Sequence, residues 1–465
     1  MDVLYPTLTP STDNPTMTQT IRTAELLGAL SHALDLTEGQ PRGHCIRACW
    51  IGTHLGEAIN LTPSELSDLY YTLLLKDLGC SSNAARICQL YLTDDQQFKA
   101  DFKLIDGSLS QALRFVLSHT GLQSGMAERF RAVINIMKNG GEISRELIEA
   151  RCQRGADIAR LMGFSESVAN AIQHLDEHWD GRGKPEGIAA RAIPVASQIA
   201  LLAQVADVFN TSSGRAAAIS EIESRSGTWF APDLVDVFTA LADWDGLWEP
   251  LQSPQLASHV LGLEPGEHVR ITSEDDLDSV AKGFALVIDS KSPFTRGHSE
   301  RVALYADLIG EELNQSPVQR RFLRRAALLH DIGKLAISNT ILDKPDKLSD
   351  AEYITIKTHP VHSANILRDV QAFSKMADIA GHHHERLDGK GYPHGLKADE
   401  ISLDIRIVTT ADVFDALTAD RPYRKAMSPT AALAIMDKDT GTAFDPICLA
   451  ALKSALKRAE LAEAA

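Results

Sequence analysis

Seven side chains in the C-terminal half of this 465-residue chain are of types that bind metal ions: His298, His330, Asp331, His359, His383, His384 and Asp412. All are nitrogen or oxygen donors, with no thiolate among them. That chemistry suits two first-row ions such as iron or manganese better than a closed structural zinc site. On a helix the adjacent His330 and Asp331 would point roughly 100° apart and could serve neighbouring ions. Lys334, four residues after His330, brings an ammonium to the same face. A single histidine near an apolar face is more often a hydrogen-bonded core residue, and an adjacent His-Asp pair alone is equally weak. The ordered set is far more specific.

The elements that must position these residues read as helices. SEDDLDSVAKGFALVID (273–289) opens on a capping-box-like Ser273 and Asp276, then sets apolar residues three and four apart. RRFLRRAALLHDIG and ALYADLIGEEL continue the period, while alternating β-branched runs are scarce.

The motifs also occur twice in the same order. RGHCIRACWIGTHLGEAINL (42–61) aligns with RGHSERVALYADLIGEELNQ (296–315), bringing Arg47 opposite Arg301. Thirty-two residues separate His44 from Lys76 and also His298 from His330, so LLLKDLGC (73–80) lies opposite ALLHDIGK (327–334). HLDEHWDGRGKPEGI (174–188) matches HHHERLDGKGYPHGL (382–396), VADVF (205–209) matches TADVF (410–414), and GTWFAP (227–232) matches GTAFDP (441–446). Five ordered matches imply a tandem duplication. The expected layout is a flexible polar leader over 1–20, a first half over 21–250, a linker over 251–272 and a second half over 273–465. Lys76 and Arg151 are 75 residues apart but His330 and His359 only 29, so the first half carries 46 more. An inserted helical segment is placed within residues 90–145.

The second half resembles the HD-GYP family, the HD-superfamily phosphohydrolases that cleave cyclic dinucleotides. The residues carrying the resemblance are GHSERV (297–302), HDIGK (330–334), HP (359–360), HHERLDGKGYP (383–393) and ADVFDALTADRPYR (411–424). It implies an all-α fold of two tandem HD-type helical domains, with short irregular or β-hairpin excursions and a metal centre between helices. Position by position it implies that His298, His330, Asp331 and Asp412 hold one ion. Asp331, His359, His383 and His384 would hold the other, with Asp331 bridging. Some members have a glutamate four residues before the first histidine that helps bind a third ion; here that position is Phe294, so two divalent ions, iron or manganese, are expected.

In such a site two ions lower the pKa of a bridging water and clamp a phosphate for in-line displacement. Lys334 would stabilise charge on the phosphoryl oxygens. Asp415 would orient that lysine, completing a catalytic set with Asp331. Arg421 and Arg424 match positions that hold substrate phosphates, work for which guanidinium forks are suited. Gly391 and Tyr392, in the glycine-rich loop DGKGYPHG, are further substrate-contact candidates, and the same loop could meet a protein partner. The leading expectation is hydrolysis of cyclic di-GMP to linear pGpG, with further cleavage to GMP left open. Cyclic GMP-AMP is the enzymatic alternative, and a non-catalytic nucleotide-responsive scaffold the other.

The matched positions of the first half differ. His44, Asp77 and Asp207 remain, but Lys76 stands for His330, Arg151 for His359, Leu175 for His383, Asp176 for His384 and Cys80 for Lys334. Neither an ammonium nor a guanidinium has a lone pair for a metal. The first half is read as catalytically dead, with a salt-bridge network in place of the ions. By analogy it would be a regulatory or homodimerising module, the insertion being its candidate surface.

Composition frames the rest. The chain is 44% hydrophobic and 6% aromatic, as a globular protein should be. A net charge of −16 argues against duplex nucleic acid as a partner. MDVLYPTLTPSTDNPTMTQT lacks a signal-peptide pattern and no apolar run reaches membrane-spanning length, so a cytoplasmic protein without membrane contact is expected. The six cysteines form no disulfide framework. Cys45 and Cys49, four apart beside His44, could bind a metal but read better as one apolar helix face.

Overall fold

Matching caps start matching helices in the two halves. Thr62 and Ser316 each accept a backbone N–H two or three residues into a helix that begins with proline, at Pro63 and Pro317. Ser273 and Asp276 close the reciprocal capping box read from the sequence. The computed structural model describes residues 21–105, 109–122, 124–266, 269–421 and 424–463; the leader over 1–20 lies outside them.

The first half runs α1 (Thr23–Thr37), α2 (His44–Ala58), α3 (Pro63–Leu75), α4 (Ala84–Tyr91), α5 (Asp95–Phe102), α6 (Leu109–His119), α7 (Met126–Leu161), α8 (Glu166–Gln173), α9 (Val195–Ser213), α10 (Arg215–Ser224) and α11 (Pro232–Ala242). Two short helices, α12 (Asp245–Trp248) and α13 (Leu256–Gly262), lead to the second half. That half runs α14 (Glu274–Ser290), α15 (His298–Glu312), α16 (Pro317–Leu329), α17 (Asn339–Leu342), α18 (Asp350–Ile356), α19 (His359–Arg368), α20 (Ala377–His382), α21 (Leu403–Thr418), α22 (Pro429–Lys438) and α23 (Pro446–Glu463). The fold is all-α, and the described residues form isolated bridges rather than strands, such as Asp388 with Lys397. None of the described helices is long and apolar enough to cross a membrane.

The halves share one apolar core and exchange packing reciprocally. Helix α1 packs on its own α2 and α3 but also on α19 and the turn Ile332–Ala336 of the second half. Its repeat α14 packs on α15 and α16, and on α7 and the turn Cys80–Asn83 of the first half.

Helices α4 to α6 and the first turns of α7 form a small cluster of their own, with Ile87, Tyr91, Phe98, Phe115, Ile136 and Ile143 inside it. This segment leaves Leu122, Met126, Phe130 and Met137 exposed. Helix α5 ties it to the second half. The buried Asp95 accepts the Asn339 N–H at 2.9 Å and pairs with buried Lys291 at 3.3 Å, and Gln96 Nε2 donates to the Leu335 carbonyl at 2.7 Å.

Candidate metal centre

Helix ends place most of the seven donors. His298 begins α15 after Gly297, whose φ of 68° turns the chain into the helix. His330 follows the last residue of α16, and Asp331 starts the tight turn that carries Lys334. His359 begins α19, His383 and His384 follow α20, and Asp412 lies within α21. Gly333 lets the turn lie against α19, since a Cβ there would come within 2.0 Å of the His359 carbonyl oxygen.

The donors converge on Asp331. Its Oδ2 lies 3.4 Å from His298 Nε2 and 3.3 Å from His330 Nε2, while its Oδ1 lies 3.3 Å from His359 Nε2 and 3.7 Å from His383 Nε2. Asp412 Oδ1 joins the first group at 3.3 Å from His298 Nε2, and His384 joins His359 and His383 with donor atoms within 4.8 Å of one another. One carboxylate thus faces a different donor set with each oxygen, the arrangement a metal-bridging ligand requires.

Three histidines turn their far nitrogens to backbone carbonyls: His330 Nδ1 to Ala327 at 2.6 Å, His359 Nδ1 to Ile356 at 2.7 Å and His383 Nδ1 to Ala380 at 2.9 Å. Such bonds fix the tautomer that presents the Nε2 lone pair inward. His298 Nε2, His330 Nε2 and Asp331 Oδ1 are buried without a hydrogen-bond partner, a costly arrangement unless an ion occupies the space between them. The residues therefore fit a pair of divalent ions.

Electrostatics divides the centre. Burial opposes charge on His298, but the nearby carboxylates of Asp331 and Asp412 and the bond from Nδ1 to Asp415 outweigh this and raise its pKa to about 10. Burial with the like charges of neighbouring histidines holds His383 well below the ordinary value and lowers His384 to about 3. Lys334 Nζ lies 2.5 Å from Asp331 Oδ2, at the rim of the centre.

Four of the expected site residues have these surroundings. Asp415 does not orient Lys334: it accepts from His298 Nδ1 at 2.7 Å and from Arg301 Nε at 2.5 Å, so it fixes the His298 ring. Arg424 is turned to the end of α21, donating to the carbonyls of Leu417 at 2.8 Å and Ala416 at 2.6 Å rather than reaching for a phosphate. Gly391 serves the loop itself, because a Cβ there would lie 2.4 Å from Glu385 Cα. Tyr392 packs its ring 4.8 Å from that of His384, against the centre. Arg421 is half-buried on the segment after α21, whose Pro422 and Tyr423 lie outside the described residues.

Sequence reasoning aligned Arg301 with Arg47 but assigned it no role, and the structure pairs it with Asp415. That reasoning missed Glu385, whose buried carboxylate accepts the N–H groups of His394, Gly395 and Leu396 and so anchors the glycine-rich loop.

The first half keeps this frame with different chemistry at its centre. Lys76 points inward, 2% exposed, its ammonium bonded to Asp77, to His44 Nε2 at 2.9 Å and to Gln204 Oε1 at 3.1 Å. Arg151 pairs with Asp176 and lies 3.9 Å from Glu38. Asp207 is not the counterpart of Asp412: it accepts from His44 Nδ1 at 2.7 Å and Arg47 Nε at 2.6 Å, as Asp415 does from His298 and Arg301. Gln204 takes the Asp412 position, so five of the seven donor positions differ rather than four. Glu38, Asp77 and Cys80 bring ligand-type atoms within 4.8 Å of one another, but Lys76, Lys99 and Lys103 already pair with those carboxylates. Cys45 and Cys49 are buried and face different partners, Asp77 and Tyr70, so they form no common site.

Comparisons with known proteins agree with this frame. The family described as HD domain matches residues 123–234 and 284–447. The 3'3'-cGAMP-specific phosphodiesterase 3 of Vibrio cholerae serotype O1 is 51% identical over 433 residues, 93% of this chain and 94% of that one. A cyclic di-GMP phosphodiesterase response regulator of Xanthomonas campestris pv. campestris is 43% identical over 171 residues, 36% of this chain and 45% of that one. The crystal structure of a cyclic GMP-AMP-specific phosphodiesterase of V. cholerae superposes with a TM-score of 0.64 at 46% identity, covering 94% of this chain and 98% of that one.

Proposed function

This chain belongs to the HD-domain family, in its HD-GYP branch, and from that premise we propose that its second half is a metal-dependent phosphodiesterase acting on 3'3'-cyclic GMP-AMP. The observation that supports hydrolysis is Asp331, with one oxygen toward His298 and His330 and the other toward His359 and His383. What supports cyclic GMP-AMP over cyclic di-GMP is the extent of likeness. The relative specific for the hybrid dinucleotide matches through both halves, whereas the cyclic di-GMP phosphodiesterase matches over about a third of the chain.

His298, His330, Asp412 and Asp331 would hold one divalent ion, and His359, His383, His384 and Asp331 the other, iron or manganese by their nitrogen and oxygen donors. Such a pair, when bound, supplies a hydroxide at neutral pH and a clamp for the phosphate oxygens. Asp415 holds His298 in the tautomer that offers Nε2. Lys334 places positive charge at the rim, where negative charge grows on the phosphoryl group. Arg421 remains the candidate cation for a substrate phosphate, Arg424 being engaged with helix carbonyls.

The test is anaerobic purification with iron or manganese, then parallel incubation with cyclic GMP-AMP and cyclic di-GMP. Faster conversion of cyclic GMP-AMP to a linear dinucleotide is expected. Faster conversion of cyclic di-GMP would reverse the substrate order, and no linear product from either would favour the nucleotide-responsive scaffold.

A further inference from the structure

A cavity of about 740 Å³ lies in the first half between the insertion and the position that matches the metal centre. Arg151, Asp176 and Gln204, which stand where His359, His384 and Asp412 stand in the second half, line it on one side. Tyr91, Phe98, Phe115 and Val116 of the insertion give it an apolar, aromatic lining as well. Volume and lining are those of a small-molecule site.

Two features indicate the ligand. Six cationic side chains and two carboxylates line the cavity in a chain whose net charge is −16, so positive charge is concentrated here. Glu38 and Asp176 are already paired with Lys103 and Arg151, while Lys138, Lys184 and the exposed Arg182, whose Nε lies 3.6 Å from Asp180 Oδ2, stand nearer to solvent. The second feature is empty room at a helix wall. Gly140 and Gly141 sit in the middle of the 36-residue α7, where glycine is a poor helix former. A Cβ on either would meet nothing within 4 Å, so the space is open. Asn83 Oδ1, buried in the lining, has no hydrogen-bond partner.

We propose that this cavity binds an amphipathic anion, an apolar tail against the insertion's aromatic wall with its carboxylate toward Lys184 and Arg182. A cyclic dinucleotide, whose bases also stack on aromatic side chains but which brings two phosphates, is the competing occupant that the test separates. Lys184 also stands where the second half has Tyr392.

Dodecanoate below its micelle concentration, titrated into the full chain by calorimetry, tests the assignment, with dodecanol as its neutral analogue. Saturable binding of dodecanoate is expected, weakened at least tenfold by Gly141→Leu, which adds a bulky side chain at the exposed edge of the lining while favouring the helix. Lys184→Glu should weaken dodecanoate at least tenfold and leave dodecanol within twofold. Circular dichroism and thermal unfolding like those of the parent chain show that each variant is folded. Absence of binding, or binding indifferent to both substitutions, overturns the proposal. So does binding of cyclic GMP-AMP that Gly141→Leu abolishes while dodecanoate fails to compete.

Discussion

The two halves place a positive charge at the same points by different means. In the second half His298, Asp331 and Asp412 surround a space that fits a divalent ion; in the first, their counterparts His44, Asp77 and Gln204 are the three partners of the Lys76 ammonium. Arg151 does for the neighbouring position what His359 and an ion would do. On this reading the helical frame keeps a cation at its centre whether or not a metal supplies it. An exchangeable ion can activate water. A covalently attached ammonium cannot.

The sharpest way to break this comparison is at the shared aspartate. Asp331→Ala removes the one residue common to both proposed ion sites, and roughly a thousandfold loss of hydrolysis is expected from losing that much electrostatic stabilisation, with metal content falling in parallel. Asp77→Ala, at the same place in the first half, should leave hydrolysis per folded molecule near the parent value. Equal losses of activity would mean that the first half takes part in chemistry.

Next in size is the substituted cation. Burial opposes charge on Lys76, but Asp77 outweighs it and holds the lysine pKa above its ordinary range. Lys76→Met leaves Asp77 buried and uncompensated, and should cost about 3 to 5 kcal/mol in denaturant unfolding. Adding Asp77→Asn should recover part of that loss, because the buried charge goes with it. Lys76→His should not restore metal, since Arg151, Leu175 and Gln204 still supply no usable donor set.

Asp415 and Asp207 give a smaller contrast. Both hold a histidine Nδ1 at 2.7 Å, but only His298 has a proposed ion to serve. Asp415→Asn should lower metal affinity or activity by about 10- to 100-fold, the usual effect of a residue that orients a ligand. Asp207→Asn should change stability and leave metal content alone.

The sequence made the donor set legible because its ligands sit at helix ends marked by glycines, prolines and caps, and because the set occurs in a fixed order. It misled at α9. The ADVF string occurs in both halves, but matching it shifts α9 by three residues relative to the alignment that HLDEHWDG sets. A shift of about one helical turn leaves a side chain on nearly the same face, so apolar periodicity gave no warning. The helix starts carried the signal: Pro194 and Ser402 are N-caps at the same offset as the preceding loop motif, which sets Asp207 opposite Asp415. The role of Arg424 was hidden for another reason. An arginine near a phosphate motif and an arginine closing a helix end look alike until the carbonyls of Ala416 and Leu417 are located.

The smallest expected effect tests the charge balance of the first half. Burial and the nearby Lys76 lower His44 from 6.5 to about 4, so its contribution to stability is full above pH 6.5 and is lost as pH falls toward 4. Burial raises Asp35 from 3.8 to about 6, against the backbone bonds it accepts from Gly43 and Cys45. Its contribution has the opposite sign, fully present below pH 3.8 and lost as pH rises through 6. Between pH 6 and 4.5 the two should nearly cancel. Hydrogen-exchange protection of the α2 amides, corrected for intrinsic rates, should therefore stay within about 1 kcal/mol across that window. Asp35→Asn removes one side of the balance, and protection should then fall steadily with pH. A steady fall in the parent chain would mean that Asp35 does not offset His44, and that the first half depends on its histidine for more than the geometry around Lys76 provides.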